Sequence, residues 1–292
     1  MSTLTLSACA KLNLTLDVAG RRPDGYHEMR MVMQSVSLAD EITLDFGTSQ
    51  GISVRTNLGF LPNDRRNLAW SAAAAFEAAV KQPVNVTVSI RKQIPVCAGT
   101  GGGSSDAAAV LRGLNQHYQT GLTPLELARL GEAVGSDVPY CVLGGTALAG
   151  GRGEVLTPLP DLPDCWLVLC KPAFSISTPE LFHAADAVRL RCHPDTTGVL
   201  QALEAGDLTG VARRMYNVFE DVLPISRANE VQSIKSALLS CGALGACMSG
   251  TGPTVFGLFA EEEAARKAWQ SLRALYQDTF LTRPAGSGRT PK

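Results

Sequence analysis

The sequence contains the stretch Pro95-Val96-Cys97-Ala98-Gly99-Thr100-Gly101-Gly102-Gly103-Ser104-Ser105-Asp106-Ala107-Ala108, in which four glycines lie within five positions, directly before an alanine-rich segment. Glycine lets the backbone approach a ligand closely and adopt positive φ without steric cost. A helix that follows presents the free N–H groups of its first turn at the positive end of its dipole. We therefore predict that residues 95–105, here called the glycine loop, bind the phosphates of a polyphosphate ligand.

The residues after the glycines distinguish this loop from two common nucleotide-binding motifs. Gly103 is followed by Ser104-Ser105-Asp106, whereas a Walker A loop has lysine and then serine or threonine there. No G-x-G-x-x-G motif begins at Gly99 or Gly101. The hydroxyls of Ser104 and Ser105 are candidates to bind phosphate oxygens or a phosphate-bound Mg²⁺. The alternative is a flexible loop whose helix is N-capped by Ser104.

Composition excludes several classes of protein. The chain has 292 residues, a formal net charge of −1, 45% hydrophobic residues and 18% charged residues. This length suits one large or two modest domains, and the balanced charge gives no reason to expect a nucleic-acid or membrane partner. We find no apolar run of about 20 residues and no signal peptide. We therefore expect a cytoplasmic protein, a monomer or weak homodimer.

The cysteines and histidines do not suggest a disulfide framework or a metal site. None of the eight cysteines forms a C-x-x-C pair, and most have apolar neighbours in the sequence. We therefore expect reduced thiols at all eight positions. The histidines lack metal-ligand spacing with cysteines or carboxylates, so we predict no protein-built metal site.

Hydrophobic periodicity predicts the elements. Strands are predicted at 3–10, 12–18, 31–38, 41–46, 52–56, 84–91, 165–170, 246–248 and 254–259, with a hairpin at 146–156. Helices are predicted at 67–80, directly after the glycine loop, from Pro124 to Gly135, and at 179–187, 196–205, 208–214, 228–241 and 262–276. Thr123 and Glu126 form a predicted capping box at the start of one helix. Strands and helices occur in blocks, which favours the α+β class.

The proline-rich residues 158–163 mark the expected domain boundary. We predict an N-terminal domain at 1–157 and a C-terminal domain at 158–284. The following residues, 285–292, are rich in Gly, Ser and Pro and are expected to be a frayed tail.

Three segments together resemble the GHMP kinase superfamily. They are the glycine loop, the segment Ala10-Lys11-Leu12-Asn13-Leu14, and Met248-Ser249-Gly250-Thr251-Gly252-Pro253-Thr254. The resemblance implies a two-domain fold, with a ribosomal-protein-S5-like nucleotide-binding domain followed by a ferredoxin-like α/β domain. It also implies ATP, with Mg²⁺ carried by the nucleotide. Thr100 and Cys97 depart from the family, which usually has an aliphatic residue and a small residue at these places.

Further segments resemble one branch of this superfamily. They are Arg22-Pro23-Asp24-Gly25-Tyr26-His27-Glu28, Gly135-Ser136-Asp137-Val138-Pro139 and Ile176-Ser177-Thr178-Pro179-Glu180-Leu181-Phe182. This resemblance implies phosphorylation of a hydroxyl on a small cytidine-diphosphate substrate, in a non-mevalonate route to isoprenoid precursors. The alternatives are another kinase of the superfamily, a related decarboxylase, and a non-catalytic metabolite sensor on the same fold.

The resemblance also implies roles for particular residues. Asp137 would be the base that accepts the hydroxyl proton, and its alternative role is to N-cap the segment that follows. Lys11 would pair with Asp137, and its alternative is a surface lysine whose stem lies along apolar residues. Asn13 would help to hold the substrate, or else would bond to the backbone at a strand edge.

Three aromatic residues and one asparagine complete the predicted site. By resemblance, Tyr26 and Phe182 would stack on the two faces of the cytosine ring, and His27 would bond to its edge. Taken alone, an aromatic residue is more often part of the core. Asn67 would meet ATP near its adenine, and its alternative role is to N-cap a helix.

Overall fold

Two long antiparallel strands are the centre of the fold. The structure, a computed structural model, describes residues 2–47 and 50–286. Strand β1 (Ser2–Arg21) pairs with β2 (His27–Phe46) along nearly its whole length. The sequence predicts two shorter strands in place of each. The structure keeps β1 and β2 continuous by three register shifts, since a β-bulge bends a strand without ending it.

Within the described residues, β1 and β2 belong to a seven-stranded sheet. The other strands are β3 (Ile52–Thr56), β4 (Val86–Arg91), β5 (Thr146–Gly150), β6 (Val155–Pro158) and the short β8 (Tyr216–Asn217). The strand order is β3-β4-β2-β1-β8, and β5 pairs with β2 and with β6. The helices of this half are α1 (Leu68–Val80), α2 (Gly102–Tyr118), α3 (Pro124–Glu132) and α4 (Val138–Leu143).

Helix α2, which follows the glycine loop, packs closely on the long strands. Its residues from Ser105 to Val110 are buried without interruption. A β-carbon at Gly113 would stand 2.4 Å from Leu44 Cδ1, so only glycine lets the helix come this near to β2. This close packing positions the N-terminal end of α2 relative to β1 and β2.

The second half of the chain forms an antiparallel sheet with the order β11-β7-β10-β9. Its strands are β7 (Trp166–Lys171), β9 (Gly245–Met248), β10 (Val255–Phe259) and β11 (Asp278–Thr282), and its helices are α5 (Thr178–Asp186), α6 (Thr196–Glu204), α7 (Leu208–Arg213), α8 (Ile225–Ser240) and α9 (Glu262–Arg273), with a 3₁₀ helix at Val218–Val222. One hydrophobic cluster contains Met33 and Tyr140 together with Val168 and Val255, so the two halves share a core.

Most predicted elements are found, with some differences at their ends. The capping box of Thr123 and Glu126 is confirmed, and α3 ends at Glu132 rather than at Gly135. Strands β8 and β11 were not predicted from the sequence. The frayed tail is wrong at Ala285, whose N–H donates to the Ser35 carbonyl at 2.8 Å. Residues 287–292 lie outside the described residues.

The described residues include no helix that is both long enough and apolar enough to cross a membrane. All eight cysteines are free thiols, and Cys97 and Cys192 are exposed.

Candidate active site

The glycine loop ends in the uncapped first turn of α2. Gly101 is the N-cap residue, with φ +67° and no side chain to accept a hydrogen bond from the turn. The predicted N-cap role of Ser104 is therefore wrong, because Ser104 lies inside the helix. The N–H groups at this end remain available to an anion, and the helix dipole favours negative charge there.

Distant parts of the chain meet at this loop. Ser249 Oγ donates to the Gly99 carbonyl at 3.0 Å and accepts from the Asn13 N–H at 3.2 Å. The Thr254 N–H donates to the Ala98 carbonyl at 3.2 Å. A β-carbon at Gly99, whose φ is +75°, would stand 2.1 Å from the Ser249 carbonyl oxygen. Strand β1, the glycine loop and the chain that follows β9 therefore form one packed unit.

Lys11 and Asp137 form an ion pair beside the loop. Lys11 Nζ lies 3.2 Å from Asp137 Oδ2 and donates to Asn13 Oδ1 at 2.8 Å. The Lys11 N–H also donates to the Thr100 carbonyl at 3.0 Å. The surface-lysine alternative is wrong, because Lys11 is only 5% exposed.

The carboxylate of Asp137 does not cap the helix that it precedes. Asp137 is the N-cap residue of α4, but its side chain makes no cap hydrogen bond. Its side chain is 29% exposed and therefore open to a ligand. Asn13 is fully buried, and its amide bonds to Lys11 and to Met31 Sδ rather than to the backbone.

Two residues predicted to bind ATP have side chains that are already bonded within the protein. Ser105 is buried, and its hydroxyl donates to the Cys9 carbonyl at 2.6 Å. Asn67 Oδ1 accepts from the Ala69 N–H at 3.0 Å, and its Nδ2 donates to the Pro62 carbonyl at 2.9 Å. The N-cap alternative therefore describes the observed side chain of Asn67.

The predicted base-binding residues lie near one another in a different arrangement from a simple sandwich. The rings of His27 and Phe182 are stacked, with centroids 4.7 Å apart and an interplanar angle of 25°. Tyr26 is 55% exposed, so the core alternative is wrong for it, and the Arg152 guanidinium lies over its ring at 5.0 Å. His27 Nε2 donates to Asp186 Oδ1 at 2.7 Å.

Sequence reasoning missed Ser249 and Asp186 as individual residues. Ser249 lies in one of the quoted glycine-rich segments, so its position was signalled although its bonding was not. Asp186 carries no local signal, because its contact with His27 joins the end of α5 to the start of β2.

Comparison with known proteins assigns the class. The model of the GHMP kinases N terminal domain matches residues 67–145, and the model of the GHMP kinases C terminal domain matches residues 199–278. The crystal structure of homoserine kinase from Cytophaga hutchinsonii has the same fold, with a TM-score of 0.76, 18% identity, and coverage of 100% of this chain and 97% of that one. With this fold, the two family models define the chain as a GHMP kinase, an ATP-dependent small-molecule kinase.

More similar proteins narrow this class. The 4-diphosphocytidyl-2-C-methyl-D-erythritol kinase of Brevibacillus brevis is 44% identical over 284 residues, which are 97% of each chain. A crystal structure of 4-(cytidine 5'-diphospho)-2C-methyl-D-erythritol kinase matches with a TM-score of 0.81 and 33% identity, over 97% of this chain and all of that one. The chain belongs to the family of 4-diphosphocytidyl-2-C-methyl-D-erythritol kinases.

The glycine loop exposes backbone N–H groups at the start of α2. Its first-turn N–H groups are uncapped, and Gly103 is exposed beside them. Within 2–47 and 50–286, no group of three or more His, Cys, Asp or Glu side chains is placed to hold a metal ion.

Proposed function

We propose that this protein transfers the γ-phosphoryl group of ATP to the 2-hydroxyl of 4-diphosphocytidyl-2-C-methyl-D-erythritol, giving the 2-phosphate and ADP. The observation that carries the proposal is the Lys11–Asp137 pair, 3.2 Å apart and bonded through the Lys11 backbone to the glycine loop. It sets a cation and an open carboxylate beside the predicted phosphate site. The similarity to relatives with this substrate in their names supports the choice of acceptor.

In this proposal Asp137 is the general base. Its carboxylate takes the proton of the acceptor hydroxyl while that oxygen bonds to the γ-phosphorus. The bond between the γ-phosphorus and the bridging oxygen breaks, and its electron pair leaves with ADP. Lys11 pairs with this carboxylate at 3.2 Å and also stabilises negative charge on the reacting oxygens.

Asn13 positions Lys11 rather than the acceptor itself. Its Oδ1 accepts one Lys11 N–H at 2.8 Å, and its full burial leaves it little freedom to turn elsewhere. The uncapped turn of α2 and the glycine loop, 95–105, would receive the ATP phosphates. Magnesium, which neutralises phosphate charge, would enter with the nucleotide and be held mostly by phosphate oxygens and water.

Tyr26, His27 and Phe182 are the proposed cytosine site. Base stacking on an aromatic ring is tolerant of the base, so selectivity would come from the imidazole of His27. Because His27 now lies on Phe182, the base would displace that ring contact or bind beside it.

Phosphorus NMR of purified protein with Mg²⁺, ATP and the cytidine substrate tests the proposal directly. We expect the 2-phosphate product and no turnover of mevalonate or homoserine. Turnover of one of these, with none of the cytidine substrate, would assign the protein to a sibling kinase.

The substitution Asp137→Asn tests the base. We expect kcat to fall about 10²- to 10⁴-fold, the contribution typical of a positioned general base, while the protein stays folded and still binds ATP. Asp64→Asn is the matched control, because Asp64 is exposed and its carboxylate pairs with nearby Arg66. Near-normal turnover by the Asp137 variant would remove it from the mechanism.

A further inference from the structure

A buried cluster of three ionisable side chains lies beneath the glycine loop. Lys92 Nζ donates to Asp106 Oδ2 at 2.7 Å and also to Asp40 Oδ2. The three side chains are at most 5% exposed. Although burial lowers the pKa of the Lys92 ammonium, the carboxylates of Asp106 and Asp40 outweigh it and the pKa is raised. The lysine is therefore charged, whereas burial, together with the nearby Asp40 carboxylate, raises the pKa of Asp106 well above its usual value. The two hydrogen bonds from the one Lys92 ammonium hold the three side chains together.

The cluster is connected to both ends of the glycine loop. At the entry, Asp40 Oδ1 accepts the backbone N–H groups of Gln93 at 2.5 Å and Ile94 at 2.8 Å, directly before the loop begins. At the exit, Asp106 is the first residue after the loop and lies early in α2. The Lys92 ammonium therefore links two carboxylates. The Asp40 carboxylate binds the backbone just before the loop, and the Asp106 carboxylate comes just after it.

The cluster also lies close to the turn that faces the phosphates. A β-carbon placed on Gly102, the first residue of α2, would stand 3.2 Å from Lys92 Nζ. Asp40 belongs to β2, so the cluster ties the start of α2 to the central sheet.

Its burial is costly, and that cost argues for a specific role. Burying an ion removes its hydration at a large cost in free energy, and a well-packed apolar cluster would often be as stable. Asp106 Oδ1 has no hydrogen-bond partner among the described residues, so the cluster contains one buried oxygen without a hydrogen bond. Hydrogen bonds and ion pairs have preferred distances and directions, whereas apolar packing does not. The cluster can therefore hold each end of the loop in a single position.

We propose that Lys92, Asp40 and Asp106 are positioning residues that hold the two ends of the glycine loop in the geometry that binds the nucleotide phosphates. They act through the loop and do not touch the reacting atoms. The inference rests on the proposed function only in that the loop binds ATP. Preorganising a loop in its bound geometry raises affinity, because less ordering remains for the ligand to impose.

The substitution Asp106→Ala tests this inference, since it cuts the exit from the cluster and leaves the Lys92–Asp40 pair in place. We expect the Kd of a non-hydrolysable ATP analogue, measured by calorimetry, to rise about tenfold, with the KM of the acceptor nearly unchanged. Asp106→Asn keeps a carbonyl oxygen to accept from Lys92 and is expected to recover most of the affinity. If the alanine protein does not fold, Lys92→Met is the second variant, and it should also raise the Kd of the analogue, because it removes the ammonium that joins the two carboxylates.

Lys171→Met is the matched control for loss of a charge pair elsewhere. Lys171 pairs with Asp278 in the second sheet, at 3.9 Å, and its side chain is 10% exposed. This variant should bind the analogue normally, even if its thermal midpoint falls as far as that of the alanine variant.

Hydrogen exchange gives a second readout. The amides of the glycine loop should exchange faster in Asp106→Ala than in the Lys171 control. A purely structural cluster would lower the thermal midpoint and leave the analogue Kd and loop exchange unchanged, and that result would overturn the inference. Because the analogue binds without acceptor, loss of its binding would support the inference even if the cytidine compound proved not to be the substrate.

Discussion

Gly101 lies directly against the side chain of Lys11, so closely that a β-carbon on the glycine would stand 2.7 Å from Lys11 Cγ. This contact explains how a lysine buried in a strand is held beside the glycine loop. It also couples the position of the Lys11 ammonium to the backbone of the helix N-terminus.

The substitution Gly101→Ala should therefore displace Lys11. Gly121→Ala is the matched control, because Gly121 has φ +70° and nothing within 4 Å of its would-be β-carbon, against φ +67° at Gly101. Both variants should lose about 1–2 kcal/mol of stability to backbone strain. Only Gly101→Ala should also lose turnover, measured as kcat, and equal activity in the two variants would contradict the contact.

Thr100 carries a hydroxyl whose removal should not harm the fold. Its side chain is buried, and Oγ1 has no hydrogen-bond partner among the described residues. Because an unsatisfied buried polar group costs about 1–3 kcal/mol, Thr100→Val should raise the free energy of unfolding in urea by about 1 kcal/mol. A clear loss of stability would show that the hydroxyl is bonded after all.

The same variant also tests whether nucleotide supplies the missing partner. If the Thr100 hydroxyl stays unbonded when ATP is bound, Thr100→Val keeps the wild-type KM for ATP. We expect this result, because the hydroxyl is shielded inside the loop, and a large rise in KM would contradict it.

The thiols should differ in reactivity according to burial. Burial raises the pKa of Cys141, Cys165 and Cys170 to about 12, so these remain protonated and unreactive. Cys97 and Cys192 are exposed. Iodoacetamide should therefore modify these two first, as followed by peptide mass spectrometry.

Bound ATP should slow the alkylation of Cys97 but not that of Cys192. Cys97 lies in the glycine loop, whereas Cys192 lies between α5 and α6. Slower alkylation of both, or of Cys192 alone, would contradict the assignment of the nucleotide to the loop.

The His27–Asp186 pair should be visible in a carboxyl titration. The hydrogen bond from His27 is the largest effect on the pKa of Asp186 and lowers it below the usual aspartate value. Because this pKa is lowered, the pair stabilises the folded protein at pH values above the unfolded-state pKa of Asp186. That stabilisation is lost as the pH falls through the folded-state pKa. By NMR, His27→Ala should raise the Asp186 midpoint.

Asp195 is the internal control for that titration. Its pKa is also lowered, by the Gly198 N–H first and by Arg214 second, and neither group contacts His27. A shift of both midpoints in the His27 variant would indicate a general change of structure instead.

Local signals in the sequence were sufficient for many elements. The capping box at Thr123 and the N-cap at Asn67 each depend on neighbouring residues, and both are found in the structure. The continuity of β1 through its bulges was not predictable, because register is set by the partner strand. Strand β11 was missed for a similar reason, since it is defined by its pairing with β7.

By itself, the sequence determined the family and predicted a phosphate-binding loop, because the spacing of the glycines and the residues that follow them are local features of the chain. Only the tertiary structure decided that Lys11 reaches Asp137 and that the side chain of Asn67 caps a helix. It also decided that Lys92 joins Asp40 to Asp106. The physical reason is that ion pairs and hydrogen bonds depend on distances of a few ångströms. Those distances are set by the packing of α2 and α4 on the long strands, and no spacing along the chain encodes them.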